Sequence, residues 1–160
     1  MHGTYVWNTL RRLGAPQSDL EDLTHDVFLQ VSRHIGELDP SRPTRPWLFA
    51  FAFRIASQHR RRAHRRRETP GEVDEMTHPG PTPDEQIAAE EQRSLVLAAL
   101  QRVDIDRRAV LVLYEIDRTP MADIAVALGI PVNTGYSRLR IARAEFAAAV
   151  NRLQSRKGPL

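Results

Sequence analysis

The chain has 160 residues, 41% of them hydrophobic, 27% charged and none cysteine, which bounds it to one ordinary domain or two small ones and excludes disulfide frameworks and thiolate metal sites. Its net charge of +3 sets 23 basic residues against 20 acidic ones, and every basic residue except Lys157 is arginine, so arginine placement says more than arginine number. The longest apolar stretch, Trp47 to Phe53, falls far short of the roughly 20 residues that cross a bilayer, and MHGTYVWNTLRRLG does not have the pattern of a signal peptide; with no cysteine, this reads as a soluble, cytoplasmic protein.

Four-residue periodicity and helix punctuation recur along the chain and strand-like alternation does not. The fold class is therefore all-α: two small helical domains joined by a flexible acidic, proline-rich linker, the C-terminal one containing a helix-turn-helix. The first helix is expected from Thr4 to Leu13, stopping at Gly14 with Pro16 beyond. "SDLE", from Ser18, has the form of a capping box, in which the Ser18 hydroxyl accepts from the Glu21 amide and the Glu21 carboxylate returns to the Ser18 amide. The helix that follows, to about Ile35 and ended by Gly36, places Leu20, Leu23, Val27 and Val31 inward. Asp19, Glu21, Asp22 and Asp26 put negative charge in its first turns, where the dipole favours it. "GELDPSRPTRP" is a loop by its three prolines and glycine, and Pro46 can open a third helix that runs to Arg67.

That third helix ends in "HRRRAHRRR", with six arginines and two histidines in residues 59–67. On its own the block reads equally as a grip on nucleic acid, a targeting tag or a solvated helix end. At 100° per residue, Arg54, Ser57, Gln58, Arg61 and Arg65 share one stripe, whereas Arg60 and Arg67 lie away from it. Trp47, Leu48, Phe51 and Ile55 are assigned mainly to the core. Beyond it, Glu68 to Glu91 contain eight acids and no lysine or arginine, and Thr69 to Pro83 contain four prolines and two glycines, the composition of a linker. "TPDE", from Thr82, is a second capping box. Helices are expected over 83–102 and 107–115.

"TPMADIAVALGIPVNTGYSRLRIARAEF" then reads as helix (Pro120 to Leu128), turn (Gly129-Ile130-Pro131) and helix from Val132. Ile124, Ala125 and Leu128 are placed to meet Val132, Leu139, Ala142 and Phe146, the pattern of a helix-turn-helix whose second helix enters a major groove. Its outward side offers Asn133, Thr134, Ser137 and Arg140, flanked by Tyr136 and Arg138 with Arg143 further on. Amides, hydroxyls and guanidinium groups of this kind match base edges or phosphates. Other small helical bundles share a Gly-Ile-Pro turn with a polar outer face, so the motif alone leaves a purely structural role open.

None of the six histidines, His2, His25, His34, His59, His64 and His78, pairs with another ligand at zinc spacing. There is no glycine-rich phosphate loop, and no serine or carboxylate pair stands in a recognisable catalytic setting. Asp22 and Asp26 share a helix face that could hold a nuclease-type metal, the weaker reading of that pair. No catalytic residue, metal site or cofactor is assigned, and the chain reads as no enzyme.

Three segments in order give a more specific signal. "DLEDLTHDVFLQVSRHI", "RPWLFAFAFRIASQHRRRAHRRR" and "DIDRRAVLVLYEIDRTPMADIAVALGIPVNTGYSRLRIARAEF" resemble, respectively, the polymerase-clamp-binding helix, the minus-ten and DNA-melting segment, and the minus-35-reading domain of ECF (group 4) sigma factors of bacterial RNA polymerase. The resemblance implies a polymerase-binding and promoter-melting domain over 1–67, N-terminally short of the family by a turn or more. It further implies a linker over 68–81, a minus-35-binding domain over 82–153 and a tail over 154–160. Core RNA polymerase and promoter DNA are the implied partners, with an anti-sigma protein as a candidate third and no membrane. Asp22, Leu23, Asp26 and Phe28 are carried over as polymerase-facing; dipole complementation by the acids, with Phe28 in the core, is the structural alternative. Arg54, Ser57, Gln58, Arg61, Arg65, Asn133, Thr134, Tyr136, Ser137, Arg138, Arg140 and Arg143 are the DNA-binding set. The loop Asp39 to Arg45 and the helix after it are implied to hold a flipped minus-ten base. Where the family has a lysine this chain has Tyr136, and where it has an apolar residue this chain has Gly135, which lowers helix stability by roughly 1 kcal/mol relative to alanine. The acidic linker is read as a nucleic-acid mimic, as a partner for the arginine stripe, or as a plain spacer. An autonomous dimeric helix-turn-helix regulator is the alternative function.

Overall fold

The computed structural model describes residues 2–66 and 84–157, and every regular element among them is a helix. A first unit comprises α1 (His2–Arg12), α2 (Leu20–Arg33) and α3 (Thr44–Arg66); a second comprises α4 (Asp84–Leu100), α5 (Ile105–Leu111), α6 (Met121–Leu128) and α7 (Val132–Arg156). The start of the Thr82 capping box, Arg67 and the whole linker over 68–81 lie outside the described residues. In the first unit α1 buries Val6 and Leu10, α2 buries Leu20, Leu23 and Val27, and α3 closes over them with Leu48, Phe49, Ala52 and Ala56. In the second, α7 is the spine against which α4, α5 and α6 pack.

Several local expectations need correcting. The Ser18 capping box does not form: a 3-10 turn over Gln17–Asp19 leads into α2, and the N-cap, Asp19, makes no side-chain cap bond. Its carboxylate turns to His59 Nε2 on α3, 3.1 Å away, a tertiary partner in place of the local one. Nor does Gly36 end α2, which stops at Arg33 and passes into a second 3-10 turn over Ile35–Glu37. The helix expected over 107–115 begins at Ile105, where the Asp104 carboxylate accepts from the Asp106 amide. Past Leu111 it widens into a π turn, Val112–Ile116, in which the Asp117 amide reaches back to the Val112 carbonyl at 3.0 Å. Such widened turns often occur at functional positions. Arg118 follows at φ +57°, an uncommon conformation for a side-chain-bearing residue.

The two units are not separate bodies, because their buried apolar residues form one continuous cluster, with α6 packed on α3 and α4 on α1. Polar contacts cross the same seam. The Tyr5 hydroxyl donates to Asp117 Oδ2 at 2.7 Å, and Arg12 lies 4.0 Å from Asp117 Oδ1. Arg108, only 1% exposed, donates through Nη1 to the Leu13 carbonyl at 2.7 Å, while its Nε and Nη2 hold the Val103 carbonyl at 3.2 and 2.9 Å. Gln101 Nε2 donates to the Arg12 carbonyl at 3.4 Å. The carbonyls that end α1, which have no intrahelical partner, are thus capped by side chains of the other unit, one of them cationic as the helix dipole prefers.

Candidate nucleic-acid interface

The helix-turn-helix takes the form its sequence predicts. Gly129 ends α6 at φ +65°; the Ile130 amide donates to the Ala125 carbonyl at 3.0 Å and the Gly129 amide to that of Val126 at 3.3 Å, a Schellman closure that needs a left-handed residue. Pro131 then caps α7. Ile124, Ala125, Leu139 and Ala142 are buried and Leu128 and Phe146 partly so, but Val132 is 42% exposed and belongs to the surface rather than the seam between the helices. Gly135, read from the sequence as a helix defect, is buried against α6: a Cβ there would stand 2.5 Å from Met121 Sδ. Its missing side chain lets the two helices approach.

On the outward side of α7, Asn133, Tyr136, Ser137 and Arg140 are exposed, with Thr134 and Arg138 half-buried. Arg143 stands apart from them. Its Nε donates to Glu115 Oε1 at 2.6 Å, and its guanidinium lies 5.4 Å from the centre of the Tyr114 ring, so the widened turn after α5 holds this arginine against its own domain.

In the first unit, Asp22 and Asp26 are exposed on α2, whereas Leu23 is buried and Phe28 is half-buried against the core. The apolar side chain that reaches the surface beside the two acids is Leu29, 43% exposed. Sequence reading passed over it, although its spacing of three from Asp26 and seven from Asp22 puts all three on one face. On α3, Arg54, Gln58, Arg61 and Arg65 are exposed, while Ser57 is half-buried with its Oγ enclosed and without a hydrogen-bond partner. Arg54 lies over the Phe51 ring at 5.2 Å. Asp22, Asp26, Leu29, Arg54, Gln58 and Arg62 line a single groove between α2 and α3, with the acids on one wall and Arg54, Gln58 and Arg62 on the other; Arg61 and Arg65 of the stripe are not among its lining residues.

The loop before α3 shapes a second cavity, of about 390 Å³. Asp39 Oδ1 accepts from the Ser41 amide at 2.9 Å and from its hydroxyl at 2.6 Å, and these two bonds, with Arg42 nearby, hold the Asp39 carboxyl below the usual carboxylate range. Trp47 and Phe51 meet edge to face at 4.8 Å on one wall; Asp123, Val126 and Ala127 of α6 form the opposite one. No group of three or more His, Asp or Glu side chains among the described residues is placed to hold a metal ion.

A helical unit with a basic stripe, packed with a helix-turn-helix unit in the same chain, has the make-up of a DNA-binding protein, and its matches to known proteins specify the class as sigma-70. Residues 1–69 match the family model for Sigma-70 region 2 and residues 93–146 that for Sigma-70, region 4. Over 144 residues the chain is 31% identical to the ECF RNA polymerase sigma factor SigL of Mycobacterium tuberculosis, a match covering 88% of this chain and 80% of that one. It is 28% identical over 158 residues to the RNA polymerase sigma factor CnrH of Cupriavidus metallidurans, covering 94% and 83%. The fold is shared with the sigma factor RpoE of Bartonella quintana, solved with the anti-sigma factor NepR: the TM-score is 0.71 at 19% identity, over 93% of this chain and 91% of that one. The chain belongs to the ECF sigma factors, the subunits that bind core RNA polymerase and direct promoter recognition and transcription initiation. Two sigma regions in one chain favour this over an autonomous helix-turn-helix regulator. Sigma factors are in general non-enzymatic initiation factors.

Proposed function

We propose that this sigma factor divides its work among three surfaces. Asn133, Thr134, Tyr136, Ser137, Arg138 and Arg140 on α7 read the upstream promoter element. Arg54, Gln58, Arg61 and Arg65, with the loop Asp39 to Arg45, hold the downstream element as it melts. Asp22 and Asp26, with Leu29 beside them, dock core polymerase. The observation that carries the upstream assignment is that these six α7 side chains make no side-chain hydrogen bond or ion pair among the described residues, while Arg107 and Arg143 are drawn into ion pairs with Glu145 and Glu115. Free donors and acceptors on one helical face are what base readout requires. Ser57, Leu23, Phe28 and Arg143 take supporting rather than contacting roles in this reading.

The working spans are 1–67 for polymerase binding and melting, 82–153 for upstream binding, a linker over 68–81 and a tail over 154–160. The chain carries no catalysis of its own and works in the cytoplasm; no helix among the described residues is long and apolar enough to cross a membrane. An anti-sigma partner fits a fold shared with RpoE bound to NepR and with CnrH bound to the cytosolic domain of CnrY. The test is reversal of charge at Asp22 and Asp26 to lysine. Affinity for core polymerase should fall at least tenfold with helix content retained, and unchanged affinity would remove the docking assignment.

A further inference from the structure

Three large apolar side chains of α7 stand in water: Val132, Tyr136, which is 51% exposed, and Ile141. Ile141 lies half a turn round the helix from Val132, but Val132 and Tyr136 are four residues apart and share one row. Neither belongs to the buried side of the helix, which is made of Gly135, Leu139, Ala142 and Ala149. Apolar side chains scattered singly are ordinary on a protein surface; a pair in register on the face assigned to base reading is not scattered. We infer that Val132 and Tyr136 are specificity residues for the methyl group of thymine, so that this sigma factor selects thymine on neighbouring base pairs of its upstream element.

Position, chemistry and spacing support this. On a recognition helix in the major groove, the N-terminal residues are the ones that reach base edges; Val132 is the first residue of α7 and Tyr136 the fifth. The apolar group that a base pair displays in that groove is the thymine methyl, which gives an apolar side chain facing the groove one favourable target. Four residues of helix rise about 6 Å, under two base-pair steps of about 3.4 Å, so the two side chains meet methyls on pairs one or two steps apart. Their neighbours fit the same partner. Asn133 and Ser137 follow them one position along, exposed, and Arg140 continues the row at the next four-residue step. None of these three makes a side-chain hydrogen bond among the described residues, so an apolar protein partner laid over the row would bury unpaired polar groups, whereas base edges supply donors and acceptors for them.

The inference rests on α7 reading the upstream element and adds the chemistry of what is read. The experiment replaces thymine by uracil, which removes the methyl and leaves the groups that hydrogen-bond in either groove unchanged. Core polymerase carrying the full chain first selects upstream elements from a randomised duplex pool, and the selected duplex is then titrated with thymine or uracil at each thymine position. Affinity should fall roughly fourfold for each contacted methyl, the factor that one methyl-sized apolar group supplies on leaving water. Val132→Ala and Tyr136→Ala preserve the helix, and each should bring the thymine-to-uracil ratio toward one at its own position with little change in affinity for the uracil duplex. Tyr136→Phe, which keeps the ring, should retain the wild-type ratio. A selected element without thymine, wild-type ratios of one at every position, or alanine variants that weaken thymine and uracil duplexes alike would each overturn the methyl assignment while leaving α7 as a base reader. Selection that returns no base preference over the upstream element would instead remove the base-reading role of α7, and the methyl assignment with it.

Discussion

Gly135→Ala sets intrinsic helix preference against tertiary packing in a position where the two have opposite signs. In an isolated helix the change is favourable by about 1 kcal/mol. Here the new Cβ would lie 2.5 Å from Met121 Sδ, with Met121 Cγ and Cε at 3.5 and 3.6 Å. Met121 is only 4% exposed, so its side chain has to move within a filled core, and overpacking of this kind costs about 1–3 kcal/mol. The sum is a net destabilisation of about 0–2 kcal/mol where sequence preference alone expects a gain. The sharper readout is a double-mutant cycle. Met121→Ala alone should cost about 2–5 kcal/mol, but it removes the obstructing sulfur, so adding Gly135→Ala to it should be stabilising by about 1 kcal/mol. Urea unfolding of the four proteins gives the coupling energy, expected at about 1–3 kcal/mol. Equal stabilisation by Gly135→Ala in both backgrounds would refute the idea that the glycine exists to seat α6 on α7.

Further outcomes can be checked with the same protein. Arg61→Ala with Arg65→Ala should weaken promoter binding or opening by the polymerase complex much more than Arg60→Ala with Arg67→Ala, and each lost phosphate contact should lower the slope of log affinity against log salt by roughly 0.9 on duplex or 0.7 on single strands; equal losses from the two double variants would mean a diffuse charge cloud. Arg140→Ala should reduce discrimination at one upstream base pair by about 1–3 kcal/mol, while Arg143→Ala should weaken all sequences alike, which competition among single-base promoter variants would distinguish. Gly14→Ala forces a side chain into φ +101° and against Gln101, and should destabilise the chain by about 1–3 kcal/mol in a thermal melt. Burial raises the Asp117 carboxyl above its ordinary value, opposed by the Tyr5 hydrogen bond and by Arg12 and Arg45. The folded protein therefore binds the proton more tightly than the unfolded chain: this contribution to stability is full below the ordinary carboxylate range and is lost as pH rises through the raised value. Asp117→Asn should abolish that part of the pH dependence of stability in urea unfolding.

The sequence by itself determined the elements whose signals are local. The Gly129 turn, the start of α7 at Val132, the stop at Gly14 and the all-helical class each follow from one residue's backbone freedom or from a repeat that a few neighbours carry. The outward placement of Asn133, Tyr136, Ser137 and Arg140, and of Arg54, Gln58, Arg61 and Arg65, follows from the same helical arithmetic. Where a side chain had to choose between a local and a distant partner, only the tertiary structure decided. Asp19 prefers His59 to a helix cap, Arg143 is taken by Glu115 rather than left on the reading face, and Leu29 rather than Leu23 reaches the surface. Arg108, one arginine among 22 in the chain, is the clearest case. Nothing in "DIDRRAVL" distinguishes it from Arg107, because what buries it is the end of α1, some 95 residues away along the chain. Long-range partners of that kind are set by how whole units pack, and no window of neighbouring residues contains them.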